Sequence, residues 1–453
     1  MEEKKKSLVA LVRCKSYDRD VVEKAVAKAI ELLGGFDAIM PELGGDAEIL
    51  LKPNLLAKAD PAKAVTTHPE VFRAVGKTLQ DAGYSNIKFG DSPGNPMFSV
   101  EKTADSCGLM TPAKELGLEL GNFDDGLEIE FPDGRTSQKF VICEEVARVC
   151  GLGPYSEENG GPGPAGGIIN ICKMKTHALE RITGAVKNTF GCVQGVNKTA
   201  SHATYANAEH FARMLVDLNR LVVPKLHIMD GIVAMEGNGP GSGDPVQMNT
   251  ILASTDPVAL DACFCHLVRL NTEFVPTNVA GAEAGIGNRD HEEIDVVLAH
   301  IPMVKDGTVM PLDEVGIKYG DGDFNVPRGA NYKGNFRIMK MLGGVLEKKP
   351  VIEENKCIGC GVCVEACPVG DGSHEQKAIK LKLRSTAALA RSEMGTGLAM
   401  NLSAEDERLA KRVAMYNYDK CIKCYCCQEM CPEKAINVKK SLLAKIADRH
   451  WKI

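Results

Sequence analysis

The first three hundred residues alternate short apolar runs with stretches in which apolar residues recur every three to four positions. The short runs are typical of buried β-strands, and the longer stretches are typical of amphipathic helices. This alternation predicts an α/β domain with a largely parallel sheet. The predicted strands cover residues 8–12, 48–51, 87–89, 167–172, 226–229, 251–253 and 296–299, and the predicted helices cover residues 21–33, 69–82, 206–221 and 257–270.

Helix boundaries are marked by residues that start or stop helices. Pro69 lies in the first turn of one predicted helix and Gly83 ends it. Asp256 precedes Pro257 and is predicted to be the N-cap of another helix. Residues 158–167 are rich in glycine and proline, so we expect a flexible surface loop there.

The periodic pattern changes beyond residue 305. It fades over residues 306–333, and a helical stretch is predicted over residues 336–346. We expect the α/β domain to span residues 1–347 and a second domain to span residues 348–453. In the second domain, residues 385–415 form an insert with a mostly helical pattern.

Composition limits the class of protein. The chain has 453 residues, of which 44% are hydrophobic and 25% are charged, as in soluble globular proteins of two or three domains. The net charge of −6 argues against a nucleic-acid partner, because phosphate binding requires a basic surface. The chain begins Met-Glu-Glu-Lys-Lys-Lys without an apolar signal segment, and no apolar run approaches the ~20 residues of a membrane span. We therefore expect a cytoplasmic protein without a membrane partner.

Cysteine spacing is the strongest chemical signal. Of seventeen cysteines, eight form two runs of the pattern C-x₂-C-x₂-C-x₃-C-P, at residues 357–368 and 421–432. Two-residue gaps let three cysteines of one loop face the same iron–sulfur cube. A zinc knuckle would use only two cysteines from each run. It would not explain the other two cysteines or the proline. The pattern predicts two [4Fe–4S] clusters, and we expect an anaerobic or microaerobic setting because exposed clusters are commonly oxygen-labile.

These runs resemble the two-cluster module of bacterial ferredoxins, so the second domain is expected to be small, α+β and ferredoxin-like. In such modules the fourth cysteine of each run serves the other cluster. The resemblance thus implies one cluster on Cys357, Cys360, Cys363 and Cys431, and a second on Cys421, Cys424, Cys427 and Cys367. Cys426 is an additional thiol that is either an alternative ligand or inert.

Polar motifs follow the predicted strands, where open α/β sheets bind their ligands. They resemble, in order, the motifs of the family called domain of unknown function 362, over about residues 5–305. Members are often fused to a two-cluster ferredoxin and are described as iron–sulfur proteins, so the resemblance implies architecture rather than reaction. The motifs are Lys52-Pro53-Asn54, Thr67-His68-Pro69-Glu70, Gly90-Asp91-Ser92-Pro93-Gly94, Lys173-Met174-Lys175-Thr176-His177, Lys187-Asn188, Asp230-Gly231 and Asp256-Pro257-Val258-Ala259-Leu260-Asp261.

Lysines and amides predominate in these motifs. Ammonium groups suit a carboxylate or phosphate, so the motifs predict a site for an anionic small molecule. The alternative is that each lysine extends to solvent from a strand end. The candidate substrate-binding residues are Lys52, Asn54, Lys173, Lys175, Lys187, Asn188, Asp230 and Glu236.

The candidate catalytic residues are His177, His68 and Asp91. An imidazole titrates near neutral pH and is a suitable general acid or base. With Asp91, Asp230 or Glu236, a histidine could instead bind a metal ion. A structural histidine that caps a helix is the alternative for each.

The combination predicts an iron–sulfur oxidoreductase in which two clusters relay electrons to an anionic ligand of the α/β domain. Covalent fusion makes this delivery intramolecular, at an effective concentration of about millimolar. One alternative is a ferredoxin-type electron carrier whose large domain is a binding module. Another is a non-redox α/β enzyme with structural or sensing clusters. A redox protein is the expected partner.

Overall fold

The computed structural model describes residues 6–94, 98–328, 348–370, 376–383 and 412–439. The chain divides into two compact units. We call the first, residues 1–198 and 207–328, the α/β unit; the second, residues 199–206 and 329–453, is the ferredoxin-like unit. The predicted boundary at residue 347 and the predicted helix at residues 336–346 lie outside the described residues.

Strands and helices alternate up to residue 328. The strands are β1 (Ser7–Arg13), β2 (Glu48–Pro53), β3 (Ile87–Phe89), β4 (Glu119–Leu120), β5 (Gly126–Glu130), β6 (Lys139–Cys143), β7 (Gly166–His177), β8 (Arg181–Thr183), β9 (Leu226–Glu236), β10 (Asp244–Ser254), β11 (Ile294–Ala299) and β12 (Thr308–Pro311). The helices are α1 (Arg19–Leu32), α2 (Phe36–Ile39), α3 (Pro69–Asp81), α4 (Val100–Ser106), α5 (Met110–Leu116), α6 (Glu144–Val149), α7 (Ala185–Asn188), α8 (Gly195–Thr204), α9 (Ala208–Val222), α10 (Pro257–Leu267), α11 (Pro276–Ala284) and α12 (Leu312–Tyr319).

Ten of these strands form one sheet, in the order β12-β11-β1-β10-β9-β7-β2-β3-β4, with β8 paired to β7. Strands β11, β1, β9, β7, β2, β3 and β4 share one direction, and β12, β10 and β8 run opposite to it. The predicted largely parallel α/β fold is confirmed. Strands β5 and β6 form a separate antiparallel pair.

Apolar cores cover both faces of the sheet. Along β1, Ala10 and Val12 belong to one core, with α1 and α3, whereas Val9 and Leu11 belong to the other, with α10. This alternation follows from the two-residue period of a strand, and it explains why the strand sequence is apolar throughout. The helix positions predicted from periodicity are confirmed for α1, α3, α9 and α10.

Several strands extend beyond the apolar runs that predicted them, among them β2, which continues to Pro53 and so contains Lys52. Strand β7 continues through residues 173–177, and β9 continues to Glu236, so the polar motifs lie within these strands rather than after them. The backbone of this polar part of β7 still pairs with β8 and β9. The prediction was wrong because buried, hydrogen-bonded polar side chains do not end a strand.

Strand β7 also begins inside the loop predicted at residues 158–167. Gly166 is buried and pairs with Glu48 of β2. A Cβ atom on Gly166 would lie 1.7 Å from the Glu48 carbonyl oxygen. This glycine therefore permits close strand pairing, and only the first part of the segment is a loop.

The fading pattern at residues 306–333 conceals two real elements, β12 and α12. Along β12 half-buried residues alternate with exposed ones, and Ile317 of α12 is exposed. Elements at the edge of a sheet bury too few side chains to give a clear period. No described helix has the length and apolarity needed to cross a bilayer.

The ferredoxin-like unit is built from short elements. They are β13 (Lys349–Ile352), α13 (Val362–Glu365), β14 (Ile379–Leu383), β15 (Arg412–Tyr416), α14 (Cys426–Glu429) and β16 (Ile436–Lys439). Strand β13 pairs with β16 and β14 pairs with β15, both antiparallel. The helical insert predicted at residues 385–415 is wrong at its described end, where β15 pairs with β14; its remainder lies outside the described residues.

Candidate functional site

The two cysteine runs line two cavities of the ferredoxin-like unit. The first cavity is lined by four cysteines, and so is the second. Each takes three cysteines from one run and the fourth from the other. Four thiolates around one compact space are what an iron–sulfur cube requires, so the residues fit this cofactor. The first set is Cys357, Cys360, Cys363 and Cys431, and the second is Cys421, Cys424, Cys427 and Cys367.

Backbone conformation brings three cysteines of each run to one cavity. Gly359 and Gly361 lie between cysteines of the first run and have φ angles of 71° and 83°. Lys423 and Tyr425 hold the corresponding positions of the second run, with φ angles of 59° and 64°. Two left-handed residues per loop turn the chain tightly enough for the intervening cysteines to point inward.

Hydrogen bonds within the described residues reach sulfur atoms of the cysteines that line the two cavities. The Tyr416 hydroxyl lies 3.0 Å from Cys427 Sγ, and the Ala435 amide donates to Cys431 Sγ at 3.3 Å. Such bonds are among the features that set cluster potentials. Cys426 is buried and interacts with the Cys424 thiol.

The polar motifs of the α/β unit form buried pairs. Lys52 Nζ donates to Asp91 Oδ1 at 2.9 Å, and the other Asp91 oxygen accepts the Leu55 amide at 2.7 Å. Both side chains are almost fully buried. A Cβ atom on Gly191 would lie 1.6 Å from Asp91 Oδ1, so only glycine allows this pair to form where it does.

A second buried pair joins β7 to β9. Asp230 accepts from Lys173 Nζ at 2.7 Å and from the Tyr17 hydroxyl at 2.9 Å. The His68 backbone amide donates to the same carboxylate at 3.0 Å, and the His68 ring stacks on Tyr17 at 3.5 Å. Burial lowers the pKa of His68 to about 4, and the charge of Lys173 adds to this against the opposing charge of Asp230. Its Nδ1 accepts the Glu70 amide at the start of α3, so His68 is a helix cap.

A chain of amides starts at Lys175. Lys175 Nζ donates to Asn54 Oδ1 at 2.8 Å and to the Val65 carbonyl at 2.6 Å. Asn54 donates to Asn188 at 2.6 Å, and Asn188 donates to Asn170 at 2.7 Å. An ammonium can only donate, so it fixes the direction of every amide that follows.

The chain ends at His227. Asn170 Nδ2 lies 3.0 Å from His227 Nδ1, so His227 accepts through Nδ1 and is neutral. Burial lowers its pKa to about 3, which agrees with this form.

The four candidate lysines are not gathered in one open crevice. Lys52 pairs in register with Asn170, so the two side chains share one face of the sheet. Lys173 lies three residues after Asn170 along β7 and faces the other side. Lys52, Lys173 and Lys175 are at most 1% exposed, so none of the three extends to solvent.

Lys187 and Asn188 are carried by α7, which is held by a carboxylate from α10. Asp261 Oδ1 accepts the Ala185 amide at 2.6 Å, and its other oxygen accepts the Val186 amide at 3.2 Å. Burial raises the pKa of Asp261 to about 7 against these two hydrogen bonds. Lys187 is 8% exposed and its Nζ lies 5.9 Å from the Phe190 ring centroid.

His177 lies at the end of β7. Its Nδ1 accepts the amides of Leu179 and Glu180 at 3.1 and 3.0 Å, which turns the chain into β8. Glu180 is fully buried, and neither carboxylate oxygen has a hydrogen-bond partner in the described part of the chain. Burial raises the pKa of Glu180 well above its usual value, and the nearby Lys187 charge only partly opposes this.

The other predicted positions are peripheral to these networks. Glu236, at the end of β9, accepts the Asn325 amide at 2.6 Å. Asp256 caps α10 as predicted, accepting the amides of Val258 and Ala259. Within the described ranges, no three His, Cys, Asp or Glu side chains are arranged to hold a single metal ion.

Comparison with known proteins identifies both parts of the chain. Residues 49–266 match the family model "Domain of unknown function (DUF362)", and residues 349–432 match the "4Fe-4S dicluster domain". The thylakoid-associated protein sll1697 of Synechocystis sp. is 32% identical over 322 residues, which cover 71% of this chain and 91% of that protein. The chain belongs to the DUF362 family.

A second similarity is confined to the ferredoxin-like part of this DUF362 protein. One subunit of the H(2):CoB-CoM heterodisulfide,ferredoxin reductase of Methanothermobacter thermautotrophicus is 28% identical over 106 residues. The match covers 23% of this chain and 13% of that reductase polypeptide. No solved structure matches the chain. The C-terminal part of the DUF362 protein is thus a 4Fe–4S ferredoxin-type domain, whose chemistry is iron–sulfur electron transfer.

Sequence reasoning missed Tyr17, Glu180 and Lys198. Lys198 is almost fully buried and donates to the carbonyls of Ser92 and Pro93. Burial lowers its pKa to about 8. None of the three comes directly after a predicted strand, which is where polar site residues were sought.

Proposed function

We propose that this protein is an iron–sulfur oxidoreductase that holds two [4Fe–4S] clusters and exchanges electrons with a small anionic molecule bound by the α/β unit. The observation that carries the redox part is the grouping of eight cysteines around two cavities, four to each. Each bound cluster would supply or accept one electron at a time. The thiolates hold the clusters, and the bonds from Tyr416 and Ala435 tune them.

Lys175 and Lys187 are the better candidates for contact with an anion. Lys52 and Lys173 each have a carboxylate within 2.9 Å, which neutralises their charge. Lys175 is joined to Asn188 through Asn54, and Lys187 is adjacent to Asn188 on α7, so both lysines adjoin the same hydrogen-bonded network. A carboxylate or phosphate would complete this set of donors.

Glu180 is the better candidate for proton donor. His177 Nδ1 already accepts two backbone amides, which fixes the ring in its turn. Glu180 lies three residues further on, is fully buried, and has a raised pKa. A carboxyl group whose pKa is raised by burial is suited to give a proton to a reduced ligand.

A screen under strict anaerobiosis tests this proposal. Reduced protein is mixed with candidate carboxylates and phosphates, and cluster reoxidation is followed by absorbance. We expect one class of anion to reoxidise the clusters, with KM raised about tenfold or more in Lys187→Gln, since a charge-assisted hydrogen bond is lost. Lys318→Gln, on exposed α12, is the control and leaves KM unchanged.

One observation favours a second candidate, a ferredoxin-type electron carrier whose α/β unit only binds. Lys52, Asp91, Lys173 and Asp230 are all buried and paired with one another, as in a structural core. This candidate predicts that reduced clusters are reoxidised by redox proteins and by no small anion.

We also infer a reducing, cytoplasmic location. None of the seventeen cysteines forms a disulfide, and unpaired thiols persist in such a compartment. One relative is called thylakoid-associated, so fractionation of cells into soluble and membrane pools is the test. Recovery in the membrane pool would overturn this location.

A further inference from the structure

The two cysteine cavities differ in their access to solvent. In the first cavity Cys360 is exposed, and the neighbouring Ile358 is 48% exposed. The counterpart of Cys360 in the second cavity, Cys424, is only 7% exposed, whereas Cys363 and Cys427 are equally buried in their respective cavities. An external protein can therefore approach the first cavity more closely than the second.

Strands β14 and β15 form a ribbon beside this first cavity. Leu381 and Ala414 line the first cavity from the ribbon, and Ile379 and Tyr416, at one end of the same ribbon, line the second. Lys380 and Lys382 alternate with Leu381 along β14, so they point to the outer face, where both are exposed. No carboxylate of the described residues pairs with either lysine. Met415 of β15, opposite Lys380, is 43% exposed and adds an apolar contact.

The charge of the ferredoxin-like unit is opposite to that of the whole chain. Its described residues carry eleven Lys and Arg against six Asp and Glu, a net charge of +5, whereas the chain carries −6. The positive charge is therefore local to this unit. A local field of one sign steers partners of the opposite sign and repels those of the same sign.

We propose that the outer face of the β14–β15 ribbon, with the Cys360 loop, is a docking surface for an acidic one-electron redox protein. A cluster held by Cys357, Cys360, Cys363 and Cys431 would exchange electrons with the partner docked there. The charges of Lys380 and Lys382 orient the partner, and Ile358 and Met415 give close apolar contact. This inference rests on the cluster-binding part of the proposed function and is independent of the anionic ligand.

The test uses the full chain, purified anaerobically, and the double variant Lys380→Glu/Lys382→Glu. The matched control, Lys420→Glu/Lys439→Glu, makes the same change at two exposed lysines of the same unit that lie outside β14 and β15, one in the turn after β15 and one at the end of β16. Reduction by an acidic flavodoxin is followed by stopped flow. We expect the ribbon variant to react about tenfold more slowly at low salt and the control to change by less than about threefold, with the difference lost at ~1 M salt.

A basic c-type cytochrome provides the opposite readout. The parent should reduce it slowly, and the ribbon variant should reduce it faster because the repulsion becomes attraction. Equal responses of ribbon and control variants, or a parent that prefers the basic protein, would overturn the docking surface. The docking surface would also be overturned if these lysines bind anionic phospholipid vesicles and the ribbon variant reacts with flavodoxin as fast as the parent does.

Cluster content distinguishes a failure of the docking surface from a failure of the proposed function. Iron, sulfide and reduction by neutral photoreduced deazaflavin should be equal in parent, ribbon variant and control. A parent without two clusters contradicts the proposed function and the docking surface together. If the parent holds both clusters and the electron-transfer rates do not change when the ribbon charges are reversed, only the docking surface is contradicted.

Discussion

Replacing Asp230 by asparagine should destabilise the α/β unit strongly. The substitution keeps the shape of the side chain and removes its charge, so no cavity forms. Lys173, which is at most 1% exposed, then has an uncompensated ammonium, and the acceptor shared by Tyr17 and the His68 amide is weakened.

The magnitude follows from the burial of the pair. Breaking a buried ion pair by removing one partner costs about 3–5 kcal/mol, which is a large part of the ~5–15 kcal/mol stability of a typical domain. The double variant Lys173→Met/Asp230→Asn removes the uncompensated ammonium and keeps an acceptor for Tyr17 and the His68 amide, so it should cost less than Asp230→Asn alone. The matched control is Glu314→Gln, whose partner Lys318 lies 3.0 Å away on the exposed face of α12 and contributes about 0.5 kcal/mol or less.

Hydrogen exchange measured by mass spectrometry on β7 and β9 is the suitable assay, because it reports the opening of this unit in the full chain. We expect faster exchange in Asp230→Asn, by a factor equivalent to about 3–5 kcal/mol, with partial recovery in the double variant. Hydrogen exchange in Asp230→Asn that is no faster than in Glu314→Gln would contradict a stabilising role of this buried pair in the sheet.

Three further predictions concern other buried contacts. Gly191→Ala should separate Lys52 from Asp91, because its Cβ would lie 1.6 Å from Asp91 Oδ1, and the melting temperature should fall. A decrease of only ~1 °C would contradict this prediction. Burial raises the pKa of Asp261 to about 7, so the folded state binds its proton more tightly than the unfolded state does, and stability should fall as pH rises from about 4 to about 7. Asp261→Asn should flatten this dependence in urea titrations, and an unchanged slope would argue against it. Cys431→Ser should disrupt the cluster of Cys357, Cys360 and Cys363; paramagnetic spectra in which the other cluster is lost instead would contradict the exchange of ligands.

The periodic parts of the fold could be predicted from the sequence. Helices α1 and α3 bury one face each, and β3 is bounded by polar residues, so simple patterns locate them. The ends of β7 and β9 could not be predicted in this way. Their lysine and aspartate side chains are buried in pairs with residues more than fifty positions away, and a local pattern carries no information about such partners.

The candidate site was predicted in its composition more than in its arrangement. The motifs containing Asn54, Lys175 and Asn188 do meet, because β2, β7 and α7 bring them together. Lys52 and Lys173 are separated because strand residues alternate between faces, and the strand ends had been placed too early. Two glycines in the sequence could have indicated these buried carboxylates. Gly184 leaves room for the carboxylate of Asp261, and Gly191 leaves room for that of Asp91.

The number and kind of bound clusters are the most direct test of the proposed redox function. Iron and acid-labile sulfide are measured per chain in anaerobically purified full-length protein, with low-temperature paramagnetic spectra of the reduced form. Two [4Fe–4S] clusters predict about eight iron and eight sulfide per chain and signals from two cubes. About four iron per chain, or bound zinc without sulfide, would contradict the redox function proposed for this protein.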